Sequence, residues 1–199
     1  LVQAGQSPRG LEFGTKHAEA LFVTYKGVKD AKAQTPLIRD MAEAAGRSRN
    51  SVQLLMGICI VVGETEREAQ SKYKQLLAYA SPEGAFALFG GWTGINLAGL
   101  DASAPVSGFE SDGMQFLAKW FEGQKGPDGG DFTVTDMGRY MSIGSIVPVL
   151  VGDATQVADQ LEALVDDGGV DGFNVLPAIQ PDSARDLVDI LIPELQRRG

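Results

Sequence analysis

The chain is poor in the residues that carry most recognisable site chemistry. It holds one cysteine, Cys59, and one histidine, His17, in 199 residues. A single cysteine excludes an internal disulfide framework, and Cys59 sits inside the apolar run 54–62, where a thiol behaves as a small buried hydrophobe. A single histidine excludes His-cluster metal sites and leaves one imidazole at most for a Ser-His pair. No Cys-x-x-Cys, His-Glu-x-x-His or Walker loop occurs, and no Gly-x-Gly-x-x-Gly follows a strand. A metal centre and a standard dinucleotide fold therefore have no support. Positive charge is also short: 17 Lys and Arg against 26 Asp and Glu give a net charge of -9. A nucleic-acid binder needs a basic stripe that neutralises phosphates, and Arg197-Arg198 cannot supply one. No apolar stretch approaches the ~20 residues of a membrane span, and no secretion signal opens the chain. The expectation is a cytoplasmic enzyme without nucleic-acid or membrane partners.

What is there is a composition of 44% hydrophobic and 22% charged residues, that of one α/β domain or most of one. Residues 1–4 form a short apolar strand ending at Gly5, and Ser7-Pro8 supplies an N-cap and a first helical residue for a helix over 8–19. Residues 20–24 read as a buried strand. The helix after it, 30–45, places Leu37, Ile38, Met41, Ala42 and Ala45 on one face. The run 52–62 is nearly all apolar, as in a parallel strand covered on both faces. Thr65-Glu66-Arg67-Glu68 matches a capping box and starts a helix to about residue 80.

Residues 81–131 then turn Gly- and Pro-rich yet contain Phe86, Phe89, Trp92, Phe109, Phe116, Trp120 and Phe121. So long a loop in a compact domain is expected to be a functional insertion. A short helix at 135–140, an apolar segment at 146–151 that could be either type, and a helix capped by Asp153 follow. A strand at 172–176 and a last helix aligning Leu187, Val188, Leu191 and Leu195 complete the chain. Four strands, each followed by a helix, fit half of a (β/α)8 TIM barrel, which typically needs ~250 residues. A small, complete doubly wound sheet is the alternative. The opening strand, with no initiator Met and no polar lead-in, reads as the middle of a larger domain.

Four residues of the first turn form a candidate anion site. Ser7 at the helix start, the backbone around Arg9 and Gly10, and the positive end of the helix dipole could together hold a phosphate, with Gly5 permitting close approach. Capping alone also explains Ser7-Pro8, so both readings stand. Thr24 and Asn174, near strand ends, could hydrogen-bond a ligand or satisfy a neighbouring loop. Tyr25 and Trp92 could stack on a flat ring or fill the core. His17, near the end of the first helix, fits a role at the negative end of its dipole.

Gln3-Ala4-Gly5-Gln6-Ser7-Pro8-Arg9-Gly10, Lys16-His17-Ala18-Glu19-Ala20, Thr93-Gly94-Ile95-Asn96-Leu97, Asp171-Gly172-Phe173-Asn174 and Pro193-Glu194-Leu195-Gln196-Arg197-Arg198-Gly199 together resemble one family. It is the nitrilotriacetate and dibenzothiophene-sulfone monooxygenase group of the bacterial luciferase-like superfamily. The resemblance implies the second half of the barrel, strands 5 to 8, with 81–131 as a substrate lid. It implies a monooxygenase that uses reduced FMN and O2 on a small organic substrate, its flavin delivered by a separate NAD(P)H:flavin oxidoreductase. The FMN phosphate then maps onto Gly5, Ser7, Arg9 and Gly10. The catalytic residues fall on the first four strands, so this stretch alone is expected to be inactive and to pair with an N-terminal half or self-associate as a homo-oligomer. The alternatives are a coenzyme F420-dependent luciferase-like oxidoreductase and a non-catalytic ligand-binding fragment.

Overall fold

A computed structural model describes residues 1–94, 96–108, 117–126, 128–144 and 146–199, without the side chains of Trp92, Thr93 and Gly108. The elements in chain order are β1 (Val2–Ala4), α1 (Pro8–His17), β2 (Ala20–Val23), α2 (Val28–Ala44), β3 (Gln53–Gly63), α3 (Glu66–Ala78), α4 (Pro82–Thr93), α5 (Val134–Met141), β4 (Val149–Asp153), α6 (Ala154–Asp166), β5 (Gly172–Leu176), α7 (Asp182–Asp186) and α8 (Ile192–Arg198). They gather into two compact units, residues 1–73 with 147–199, and residues 74–146.

The first unit is built on a sheet whose strand pairs are all parallel. Its centre is β3, since a strand apolar at every position from Leu54 to Val62 is stable only when both faces and both edges are covered. The amides of Gln53 and Cys59 donate to Glu19 and Pro148, the residues preceding β2 and β4. Both are odd-numbered, so β2 and β4 lie one after the other along the same edge of β3. The other edge takes β5, where Asp171 donates to Leu54. At the level of Leu55 the sheet thus reads β1-β2-β3-β5 across. These are the four strands expected from the sequence, and β4 is a fifth, formed from the 146–151 segment whose type the sequence leaves open. Among the described residues β1 pairs only with β2, and β5 only with β3.

Alternation along β3 separates the two sheet faces. Leu54, Met56, Ile58, Ile60 and Val62 point into a core shared with Leu21, Val23, Ile38, Ala42, Val157, Leu161 and Leu164, from β2 and the helices. Phe22, Leu55, Gly57, Cys59 and Asn174 belong to the opposite face, by register. The helices start where capping chemistry places them. Asp153 accepts the Gln156 amide at 2.9 Å while Gln156 accepts the Asp153 amide at 3.1 Å, closing a capping box.

Three local expectations are corrected. Leu37 is 61% exposed, and it is Arg39 that turns inward on α2 beside Ile38. The last helix runs unbroken over 182–198 with a π turn, Leu187–Leu191, between α7 and α8, and Val188, expected on the packed face, is 58% exposed. Pro193, in the first turn of α8, has no amide to continue the ordinary ladder into that turn. The 81–131 stretch is not all loop, because α4 occupies Pro82–Thr93 with Ser81 as its cap, accepting the Gly84 amide at 3.0 Å.

In the second unit, α4 and α5 pack closely enough that a Cβ on Gly138 would lie 2.6 Å from that of Pro82. Around them Phe86, Phe89, Leu97, Val106, Leu117, Phe121 and Met137 form a separate core. Phe121 stacks on Phe132 at 5.0 Å and meets Tyr140 edge-on at 5.4 Å. Phe109, Phe116 and the Trp92 side chain lie outside the described residues.

Candidate functional site

The turn from β1 into α1 lies at the C-terminal end of a parallel strand, the end at which barrel enzymes bind ligands. Gly5 has φ of +140°, a conformation that L side chains rarely adopt, and so turns the chain sharply out of the strand. Ser7 then caps α1 with its Oγ accepting the Gly10 amide at 3.1 Å. Pro8 has no N–H and the Leu11 amide is taken by Ser7 O at 2.9 Å. The Arg9 amide has no acceptor among the described residues. The first turn therefore offers one free backbone donor, the Ser7 hydroxyl proton and the exposed Arg9 guanidinium on the positive end of the helix dipole. A Cβ at Gly10 would sit 2.9 Å from Gly5 O and 3.1 Å from Ser7 Oγ, so only glycine lets this turn close. The four residues singled out by sequence are thus brought together, and a phosphomonoester fits the donors they present.

The turn is also tied sideways by a residue that sequence reasoning missed. Gln6 Oε1 accepts the Thr24 amide at 2.6 Å, extending the β1–β2 ladder by a side chain. The signal was a polar residue inside the Gly5–Ser7 turn, but only the paired strands show what it reaches. Thr24 follows β2 and Asn174 lies within β5, half-buried and exposed respectively.

Other candidates are assigned to structure. Tyr25 is fully buried, which removes it from any ring-stacking role, and burial pushes its phenol above the ordinary range. His17 stands in the last turn of α1 beside the Phe13 ring, 4.9 Å away. Cys59 is buried, and desolvation pushes its thiol from 9.0 up to about 11, the state of an inert core residue. Among the described residues no three of His, Cys, Asp and Glu form a group that could hold a metal, and no helix is long and apolar enough to cross a membrane.

The sequence also gave no sign of the clamp beneath the sheet. Arg39 donates to Val52 O at 2.6 Å and Asp171 Oδ2 at 2.6 Å, and the same carboxylate oxygen accepts the Leu54 amide at 2.7 Å. At the opposite end of β3, Lys72 donates to Val62 O at 3.2 Å and pairs with Asp186 at 2.9 Å. These contacts fix α2, α3 and α7 against the central strand.

A parallel α/β sheet whose first strand runs through a Ser-capped turn into a helix is the architecture of a partial barrel, and comparison with known proteins gives its family. The family model for luciferase-like monooxygenases matches residues 1–172. The chain belongs to that family. It is 43% identical to dimethyl-sulfide monooxygenase of Hyphomicrobium sulfonivorans over the whole chain and 41% of that protein, whose crystal structure superposes with a TM-score of 0.88. It is 32% identical to nitrilotriacetate monooxygenase component A of Aminobacter aminovorans, over the whole chain and 44% of that protein. A riboflavin lyase, crystallised with modified FMN and riboflavin, is 32% identical with a TM-score of 0.81, matched over the whole chain and 43% of its own. The chain thus spans less than half the length of these relatives. The expected family is confirmed, as is the partial (β/α)8 barrel.

Proposed function

We propose that the protein carrying this chain is the oxygenase component of a two-component flavin monooxygenase, acting on a small organic substrate. The observation that carries the reading is the β1–α1 turn: Gly5, Ser7, Arg9 and Gly10 present hydroxyl, amide and guanidinium donors where a phosphate would sit. Reduced FMN, when bound, would supply the two electrons by which one oxygen atom of O2 enters the substrate and the other leaves as water. The chain's part is to hold and orient. Ser7 and the Arg9 amide donate to the phosphate, Gly10 keeps the turn tight, and Gln6 fixes its position against β2. A separate NAD(P)H:flavin oxidoreductase would deliver reduced FMN in the cytoplasm, a division consistent with a relative named as a component A. The unpaired edges of β1 and β5 would be closed by the remainder of a barrel, or by a second copy.

The test is reconstitution of the full-length protein with FMN, NADH and a separate flavin reductase over a panel of small sulfides, sulfones and amines. Turnover of at least one substrate, requiring the reductase and restored by chemically reduced FMN, is expected. Activity only with reduced coenzyme F420 would replace this reading by the deazaflavin one. Absence of any flavin binding would leave a non-catalytic ligand-binding protein. Residues 81–131 would act as a substrate lid, so their deletion should raise the KM for substrate while leaving FMN affinity intact.

A further inference from the structure

The parallel strands of the first unit all end on the side that carries the β1–α1 turn, and the loops leaving them differ in character. After β1 comes the polar Gly5-Gln6-Ser7 turn, after β2 Thr24-Tyr25-Lys26, and after β3 Glu64-Thr65. The loop that leaves β5, Pro177-Ala178-Ile179-Gln180-Pro181, has no charged residue, and β5 itself has none. The first charge beyond it is Asp182, and the nearest cation in sequence, Arg185, stands 3.6 Å from that carboxylate. At the centre of the loop the Ile179 residue is 49% exposed, yet its backbone is fixed. Ser183, which is buried, accepts the Ile179 amide on Oγ at 3.1 Å and donates its own amide to Ile179 O at 3.0 Å. The helix of Ser183, α7, is in turn pinned to β3: Lys72 donates to Asp186 at 2.9 Å and to Val62 O at 3.2 Å.

We propose that Ile179 is a specificity-determining residue, the apolar wall for a neutral, alkyl-bearing substrate such as a sulfide or sulfone, and that carboxylated substrates are disfavoured there. This inference rests on the monooxygenase reading above. Ligands of a parallel barrel gather over the C-terminal ends of its strands, in contact with the loops that leave them. β1, with the phosphate turn, and β5 stand at opposite ends of the row β1-β2-β3-β5, three strand spacings or roughly 14 Å apart. The phosphate and the β5 loop are therefore met by different parts of what the site holds, and the loop falls to the substrate. A carboxylate set against it would be desolvated beside Asp182 with no cation on the loop to pair it. An alkyl group gains by covering Ile179, and the bonds from Ser183 keep that side chain in place while it does so.

The experiment measures kcat and KM of the full-length protein, with reduced FMN supplied by a flavin reductase, over neutral sulfides and sulfones. Each is matched by an analogue of the same length that ends in a carboxylate. Wild type should prefer the neutral member of each pair it oxidises by about tenfold or more in kcat/KM. Ile179→Ala should raise KM for the neutral member about three- to tenfold, the effect of losing part of an aliphatic contact. Ile179→Lys should reverse the preference. FMN affinity, read by flavin fluorescence, and the thermal melt should match wild type in both variants. A wild type that prefers the carboxylated members, or variants that keep the wild-type preference, overturn the assignment while the monooxygenase reading survives. Variants that lose FMN binding and thermal stability together would place Ile179 in packing against the rest of the protein, which overturns it as well. A wild type that oxidises neither member of any pair overturns the monooxygenase reading and this inference with it.

Discussion

Replacing Arg39 with methionine should destabilise the first unit by about 3 kcal/mol, and the structure shows where that figure comes from. The Arg39 side chain is 10% exposed and that of Asp171 25%. Methionine fills much of the same volume, so the main loss is electrostatic. Val52 O loses its donor, and Asp171 keeps the Leu54 amide while losing its cation. Breaking a buried ion pair from one side costs about 3–5 kcal/mol, because the surviving charge stays desolvated. Water reaches the Asp171 carboxylate in part, which places the effect at the lower end of that range. Urea unfolding of the full-length protein, followed by far-UV circular dichroism, gives the stability change. The double variant Arg39→Met/Asp171→Asn should regain much of the loss, since no charge is left unpaired and the asparagine oxygen still accepts the Leu54 amide. A single variant within about 1 kcal/mol of wild type, or a double variant equal to the sum of the two singles, would refute the clamp.

Further outcomes follow from the same geometry. Gly10→Ala, whose Cβ meets Gly5 O and Ser7 Oγ, should open the turn and lower FMN affinity by about tenfold or more, roughly the factor for 1.4 kcal/mol; titration of the full-length protein checks it. Ser7→Ala should cost about 1 kcal/mol of stability through the lost cap, whereas Ser7→Asp, also a good N-cap, should not; thermal melts compare the two. Cys59 should resist iodoacetamide at pH 8 until urea unfolds the chain. Because its folded thiol titrates near 11 rather than 9.0, the folded state holds the proton longer than the unfolded one, and stability should fall as pH rises from about 9 to 11. Glu194 is held down at about 2 by hydrogen bonds from Arg197 and Arg198. Its contribution is present above 4.5 and should be lost as pH falls from 4.5 towards 2, seen as fraying of α8 in acid titration by NMR.

How far each element is legible depends on whether its cause is local. β3 is legible because both of its faces are apolar, and α1 because Ser7-Pro8 carries both cap and first helical residue. The 154–166 helix is legible from Asp153 and its apolar face. By contrast, β4 is five residues long and ends in Gly152-Asp153, so nothing in it separates strand from loop until β3 offers an edge. In α4, Gly84, Gly90 and Gly91 weaken intrinsic helix preference, and packing of Phe86 and Phe89 overrides it. Arg39 looks like a solvent-facing residue of an amphipathic helix. Its partner Asp171 is 132 residues away, beyond the reach of any pattern in the sequence. The same holds for the site: Gly5, Ser7, Arg9 and Gly10 are neighbours in sequence and could be named together, whereas Gln6 and Thr24, 18 residues apart, meet only once β1 and β2 pair.

The central claim is that the β1–α1 turn holds the phosphate of a flavin, and the ratio of FMN to riboflavin affinity tests it directly. Ser7→Asp keeps the cap and the helix but sets a carboxylate where the phosphate would lie. In the full-length protein, wild type should bind FMN at least tenfold more tightly than riboflavin, a difference of about 1.4 kcal/mol or more, and Ser7→Asp should abolish that preference while leaving riboflavin affinity unchanged. A wild-type protein with equal affinity for the two, or a Ser7→Asp variant that retains the preference, would contradict the account.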